Sequence, residues 1–144
     1  MNWIRFRCWH KLHEVMYRVI EIHEGKVTII SKPSSIPGRE ANTLVSDDIL
    51  RHLVIMQASP FQETEDIKDP TYNRRFIYEL DILRITSREH KEKIGMVVFR
   101  DGCFLVELEE LDEDGTRMEV LASLLEYELK IIGHKFNYKV NDNV

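Results

Sequence analysis

The sequence predicts a mainly β domain with minor helix (α+β), built as a small barrel or curled sheet. Short apolar runs rich in β-branched residues recur along the 144 residues, separated by turns, and few segments show helical spacing. Gly95-Met96-Val97-Val98-Phe99-Arg100, Asp101-Gly102 and Cys103 to Leu108 read as a hairpin, because Asp-Gly suits a type I′ turn. The tract Arg74-Arg75-Phe76-Ile77-Tyr78-Glu79-Leu80-Asp81-Ile82-Leu83, downstream of Leu53-Val54-Ile55-Met56-Gln57, reads as strand.

Residues 3–9, Trp-Ile-Arg-Phe-Arg-Cys-Trp, alternate with a period of two. Ile4, Phe6 and Cys8 would face a core, with Trp3, Arg5, Arg7 and Trp9 on the opposite side. Val15 to Ile22 and Lys26 to Ile30 form a candidate hairpin around His23-Glu24-Gly25, where Gly25 can take positive φ. Ser31 to Arg39 is a loop by composition, and Ser46 is a candidate N-cap for a short helical turn. Leu53 to Gln57 predicts a compact strand. Ser59-Pro60 and the acidic stretch Gln62 to Asn73, with Pro70, predict an irregular loop. Phe76 to Ile85 resumes as strand, its alternation broken near Leu80–Leu83. Ser87 to Lys93 is a charged connector and Glu109 to Gly115 an acidic turn. Leu121, Leu124 and Leu125 predict a short helix within Met118 to Tyr127. Lys130 to Gly133 predicts a closing strand with a bulge at Gly133, and Asn141 to Val144 a fraying end.

A chain of this length buries roughly 68–70% of its unfolded surface, enough for a core without staples. Hydrophobic content of 43%, charged content of 31% and net charge −5 fit a soluble protein and disfavour a generic polyanion binder. Cys8 and Cys103 belong to no C-x-x-C unit, so they are expected as two buried thiols acting as small apolar residues in a reducing compartment. The alternating N-terminus is not a signal peptide, and no apolar run approaches the roughly 18 residues of a membrane span. The expected location is the cytoplasm, with no membrane partner.

Taken in order, these blocks resemble the YopX family of phage and prophage proteins. The family's opening Ile-Lys-Phe-Arg-Ala-Trp is similar to Ile4-Arg5-Phe6-Arg7-Cys8-Trp9, and its Met-Tyr pair to Met16-Tyr17. Its mid-chain Met-Gln is met by Met56-Gln57, and Ile-Tyr-Glu-Gly-Asp-Ile-Val by Ile77-Tyr78-Glu79-Leu80-Asp81-Ile82-Leu83. A strand pair like Val97 to Leu105 follows, and Ile-Gly-Asn-Ile resembles Ile132-Gly133-His134-Lys135. Ala58-Ser59 replaces the family's Thr-Gly, Leu80 its glycine and His134 its Asn, the pattern of a divergent member. Losing the glycine before Asp81 argues against an identical turn. The resemblance spans nearly the whole chain. It implies an SH3-like β-barrel in the C-terminal part and a smaller N-terminal β lobe, in a homo-oligomeric, prophage-encoded protein of the bacterial cytoplasm. It implies no established activity. The expected sub-parts are a lobe over 1–58, a loop over 59–75 and the barrel over 76–138.

His10-x-x-His13-Glu14 with His23 is the only arrangement suggesting a metal, and solvated histidines are the preferred reading, so no metal and no cofactor are expected. Glu79 and Asp81 would project to one side of a strand and could divide acid and base roles. Preferred over catalysis is Asp81 binding turn amides with Glu79 at the rim. Gln57, Tyr78, Glu79 and Asp81 thus form a motif without an assigned role. The acidic stretches Glu63–Asp69 and Glu107–Asp114 could mimic a phosphate backbone, but solvated turns are the commoner use. Trp3, Arg5, Arg7 and Trp9 combine stacking surfaces with cations, the composition of protein interfaces and of nucleic-acid platforms. The alternative is arginine stems covering the tryptophans. The expected function is a non-catalytic, self-associating phage accessory protein that contacts copies of itself or a host or phage protein. A nucleic-acid-binding small barrel is the alternative.

Overall fold

The computed structural model describes residues 5–23, 26–32, 41–45, 52–64, 74–111, 115 and 117–138. The chain divides into two compact units, Met1–Ala58 and Ser59–Val144. Among the described residues the regular structure is eleven β-strands and one 3₁₀ turn, and the registered strand pairs are all antiparallel. No helix among them is long and apolar enough to cross a membrane.

In the first unit β1 (Phe6–His10), β2 (Val15–His23), β3 (Lys26–Lys32), β4 (Ala41–Val45) and the start of β5 (Leu53–Gln62) lie in the order β4-β3-β2-β1-β5. The period-two pattern of β1 sets its two faces. Cys8 lies opposite Tyr17 on β2 and Ile55 on β5, while His10 lies opposite Val15 and Leu53. Cys8, Ile29 and Leu53 are buried together there, with Tyr17 and Val19 packed against them. A one-residue slip would turn this set outward, so burial of Cys8 fixes the register.

The β2–β3 hairpin forms as expected, His23 opposite Lys26, while the turn at Gly25 lies outside the described residues. Ser31 and Lys32 belong to β3 rather than to the loop expected there. β4 pairs with β3 and has no counterpart in the sequence reading. Residues 33–40, the Ser46 cap and the tail 141–144 lie outside the described residues.

The second unit holds the end of β5, β6 (Phe76–Tyr78), β7 (Asp81–Thr86), β8 (Glu92–Arg100), β9 (Cys103–Leu108), β10 (Met118–Val120) and β11 (Glu128–His134). Five of these follow the order β10-β9-β8-β7-β11. Asp101 and Gly102 both take positive φ, 52° and 76°, as a type I′ turn requires. At Gly95 the strands come too close for a side chain: an added Cβ would meet Glu107 O at 2.9 Å and Val106 Cγ1 closer still. Ile77, Leu83, Ile85, Val97, Val106, Leu108, Leu121, Leu124 and Leu129 form the buried core. The register of β11 on β7 shifts between Ile131 and Gly133, the bulge that Gly133 predicts.

Three expectations are corrected here. Cys103, expected to be buried, is exposed at the start of β9, next to the tight turn. Met118 to Tyr127 is not a helix: Met118–Val120 pairs with β9, and only Leu121–Leu124 coils, as a 3₁₀ turn. Leu121 and Leu124 are buried three apart, which a three-residue repeat satisfies, while Leu125 is exposed. The strand expected to end at Gln57 continues through Pro60, whose missing N–H is tolerated at its exposed position.

Past β5 the chain seals a strand edge. Glu63, 1% exposed, accepts from Arg75 N (3.0 Å), Arg75 Nε (2.9 Å) and Ile131 N (3.0 Å). Thr64 Oγ1 accepts from Leu129 N at 2.7 Å and Thr64 N donates to Leu129 O at 3.1 Å, while Arg75 Nη2 donates to Ile131 O at 2.9 Å. The backbone of Leu129 and Ile131 that points away from β7 is thereby satisfied by one short segment and two charged side chains. Glu63 is therefore no part of a solvated acidic loop, and the rest of that loop lies outside the described residues.

Candidate functional site

The second face of β1 carries half-buried Arg7 and Trp9, with exposed Arg5 just before the strand; Trp3 lies outside the described residues. The register assembles the rest. Arg7 lies opposite Arg18 on β2 and Met56 on β5, and Trp9 lies opposite Met16 and Val54. Arg18 is exposed, Met16 and Val54 are half-buried, and Met56 is fully buried. The face is thus cationic toward β2 and apolar toward β5. Two arginines stand directly opposite each other on neighbouring strands. Sequence reasoning missed Arg18; the signal was the β1–β2 hairpin register, which sets residues summing to 25 opposite each other.

Charge is unevenly divided. Residues 1–58 contain eight Lys and Arg against six Asp and Glu, net +2; residues 59–144 contain twelve against nineteen, net −7, together the −5 of the whole chain.

Gln57 is half-buried on the other face of the first unit, opposite Phe6, and does not join the arginines. Tyr78 ends β6 and Asp81 opens β7, so Glu79 and Leu80 form a turn and the two carboxylates do not share a strand face. That overturns the alternation on which the paired-carboxylate reading rests. Asp81, 1% exposed, accepts from Tyr78 N at 2.8 Å, as the amide-binding reading expects. Leu80 N donates to Val97 O (2.7 Å) and Lys135 N to Leu80 O (2.8 Å), which pins the turn at both sides. Leu80 has φ +66°, the conformation that glycine favours, so the side chain is held in it by these bonds. Two concavities of the second unit measure about 700 Å³ and 390 Å³, and neither Glu79 nor Asp81 lines them.

The histidines also differ from expectation. His10 is 5% exposed, stacks on His13 with ring centroids 3.7 Å apart, and is held below its ordinary pKa of 6.5 by burial and by the charges of His13 and His52, which outweigh a backbone hydrogen bond within His10 that favours the protonated form. The side chain of His23 is outside the described residues. Among the described residues no group of three or more His, Cys, Asp or Glu is arranged to hold a metal ion.

Fold and face together define a mainly β, two-unit protein in which one sheet presents arginine and tryptophan side by side. Among solved structures the chain is similar to the crystal structure of protein YopX from Bacillus subtilis, at 18% identity and a TM-score of 0.57, covering 93% of this chain and 94% of that one. At that identity the likeness is one of fold. No protein-family model matches the chain, and no curated protein matches it.

Proposed function

We propose that this chain is a non-catalytic, self-associating interaction module of phage or prophage origin that works in the bacterial cytoplasm through the Arg5, Arg7, Arg18 and Trp9 face. The carrying observation is the cross-strand placement of Arg7 against Arg18 beside Trp9, in a unit of net +2 belonging to a chain of net −5. Tryptophan and arginine are the residues that most often dominate protein interfaces, since each couples apolar area to a polar or charged contact. An acidic surface, of another copy or of a host or phage protein, would complement the cationic side. The C-terminal part is read as an SH3-like barrel, on the fold likeness and the order of its strands. Sedimentation velocity tests the reading: the parent should assemble, and Arg5→Ala with Arg18→Ala should shift the protein toward monomer. A monomeric parent, or a double variant that assembles as the parent does, would sink it.

The same arginines and Trp9 favour a second reading, a nucleic-acid-binding module that stacks bases on Trp9 and pairs phosphates with arginine. That reading expects affinity to fall steeply with salt and again in Arg5→Ala or Arg7→Ala. Unchanged retention of nucleic acid by those variants at low salt would dismiss it.

A further inference from the structure

The turn between β1 and β2 holds a cluster that the arginine face does not use. Residues 11–14 join His10 to Val15, which lie opposite each other in the register. The buried His10 ring stacks on His13 with an interplanar angle of 4°, and the His52 ring lies 6.5 Å from it. Tyr17 stands edge-on to His10 and His13 at 6.2 Å and 6.3 Å, its hydroxyl 3.1 Å from His13 Nδ1. Three bonds close the turn. His13 N donates to His10 Nδ1 at 3.1 Å, Glu14 N to His10 O at 2.8 Å, and Lys11 N to His52 O at 2.8 Å. Glu14 is held at φ +52°, a conformation that side chains disfavour.

The first of these bonds fixes the state of the ring. An imidazole nitrogen that accepts a hydrogen bond carries no proton, so His10 is neutral with its hydrogen on Nε2. Protonation places a hydrogen on Nδ1, directly facing the His13 N–H, donor against donor. It also sets a buried cation against the His13 and His52 rings, whose charges oppose it. Among the described residues, the titratable and charged groups around it are Lys11, His13 and Glu14 of the turn, Tyr17 of β2 and His52 ahead of β5. Glu14 is the acidic residue of this set and is exposed.

We propose that the β1–β2 turn is a proton-operated latch, closed while His10 is neutral and released when protonated His10 can no longer accept the His13 N–H. Release frees the strained Glu14 and loosens the end of the hairpin whose two strands carry Arg7, Trp9 and Arg18. The inference stands on the turn itself and does not require the interaction reading.

Imidazole ¹⁵N spectra and amide exchange on the full chain test it. His10 should show the Nε2–H tautomer and a midpoint below 6.5. Protection of the His13 amide, corrected for intrinsic exchange, should fall about tenfold or more as His10 takes its proton, while Val19 in β2 keeps its protection. The variant His10→Phe should lose that pH step. An Nδ1–H tautomer, or His13 protection that stays constant through the His10 titration, overturns the latch, as does an equal step in His10→Phe. If that variant does not fold, tautomer and exchange in the parent decide alone.

Discussion

The two units solve the same problem, a β-sheet with one face to bury, at different scale. The second unit packs nine buried apolar residues together, Leu83, Val97 and Leu129 among them, and seals the edge of β11 with Glu63, Thr64 and Arg75. The first unit buries Cys8, Ile29 and Leu53 together, and its β1 carries half-buried Arg7 and Trp9 on the opposite face, with exposed Arg5 just before the strand. One unit closes a strand edge with its own side chains, whereas the other sets arginine and tryptophan side by side on one sheet face. Among the described residues the larger buried cluster lies in the acidic unit, and the candidate recognition face sits in the basic one.

The comparison can be broken most forcefully at Glu63. Glu63→Ala strips the acceptor from Arg75 and from two backbone amides, and it should cost about 3 kcal/mol, as does loss of one partner of a buried pair. Urea unfolding followed by far-UV circular dichroism reads that loss. Tryptophan fluorescence, whose two reporters Trp3 and Trp9 both lie in the first unit, should keep its midpoint if the units unfold independently. Gly95→Ala presses a methyl onto Glu107 O and Val106 and should cost about 2 kcal/mol on the same transition.

The first unit should instead be squeezed by pH from both sides. Burial pushes the Cys8 thiol from 9.0 up to about 11, so the folded form resists an ionisation that the unfolded chain accepts. Stability from this group is full below pH 9.0 and is lost as pH rises toward 11, up to about 2 kcal/mol. His10 has the opposite sign. Its lowered folded pKa makes its contribution complete above 6.5, and stability is lost as pH falls below that value. Thermal unfolding read by tryptophan fluorescence should therefore peak between the two. At neutral pH a thiol reagent should label exposed Cys103 at once and Cys8 only as fast as the first unit opens; equal rates would contradict the buried cluster.

The smallest effect is expected at the β6–β7 turn. Leucine at positive φ costs roughly 1–2 kcal/mol and glycine's extra unfolded freedom roughly 0.5–1. Leu80→Gly should thus raise the second unit's stability by roughly 0.5 kcal/mol, read as a higher urea midpoint with unchanged slope.

Legibility in the sequence followed the range of the interaction. The β8–β9 hairpin was legible because Asp101-Gly102 encodes its turn locally, and the β11 bulge because Gly133 marks it. The Met118–Tyr127 segment was misread because leucines at three- and four-residue spacing suit an α-helix as well as a 3₁₀ turn beside a strand. Glu63 was invisible: an acid in an acidic, proline-bearing stretch looks solvated until Arg75 and Ile131, twelve and sixty-eight residues away, are known to meet it. The arginine face was half legible. Alternation within β1 gave Arg5, Arg7 and Trp9, whereas Arg18 needed the register of β2. His10 was misjudged for the same reason, since its burial comes from strands on both sides.

The sealed edge of β11 also limits how anything can join this protein. An extended peptide, or the strand of a second copy, would ordinarily add to a terminal strand by offering its own backbone amides. At Leu129 and Ile131 those positions are already filled, and a newcomer would have to evict a carboxylate shielded from water. Association on that side is therefore confined to side-chain docking, and the fibril-like growth that open edges invite is blocked there by three residues, Glu63, Thr64 and Arg75.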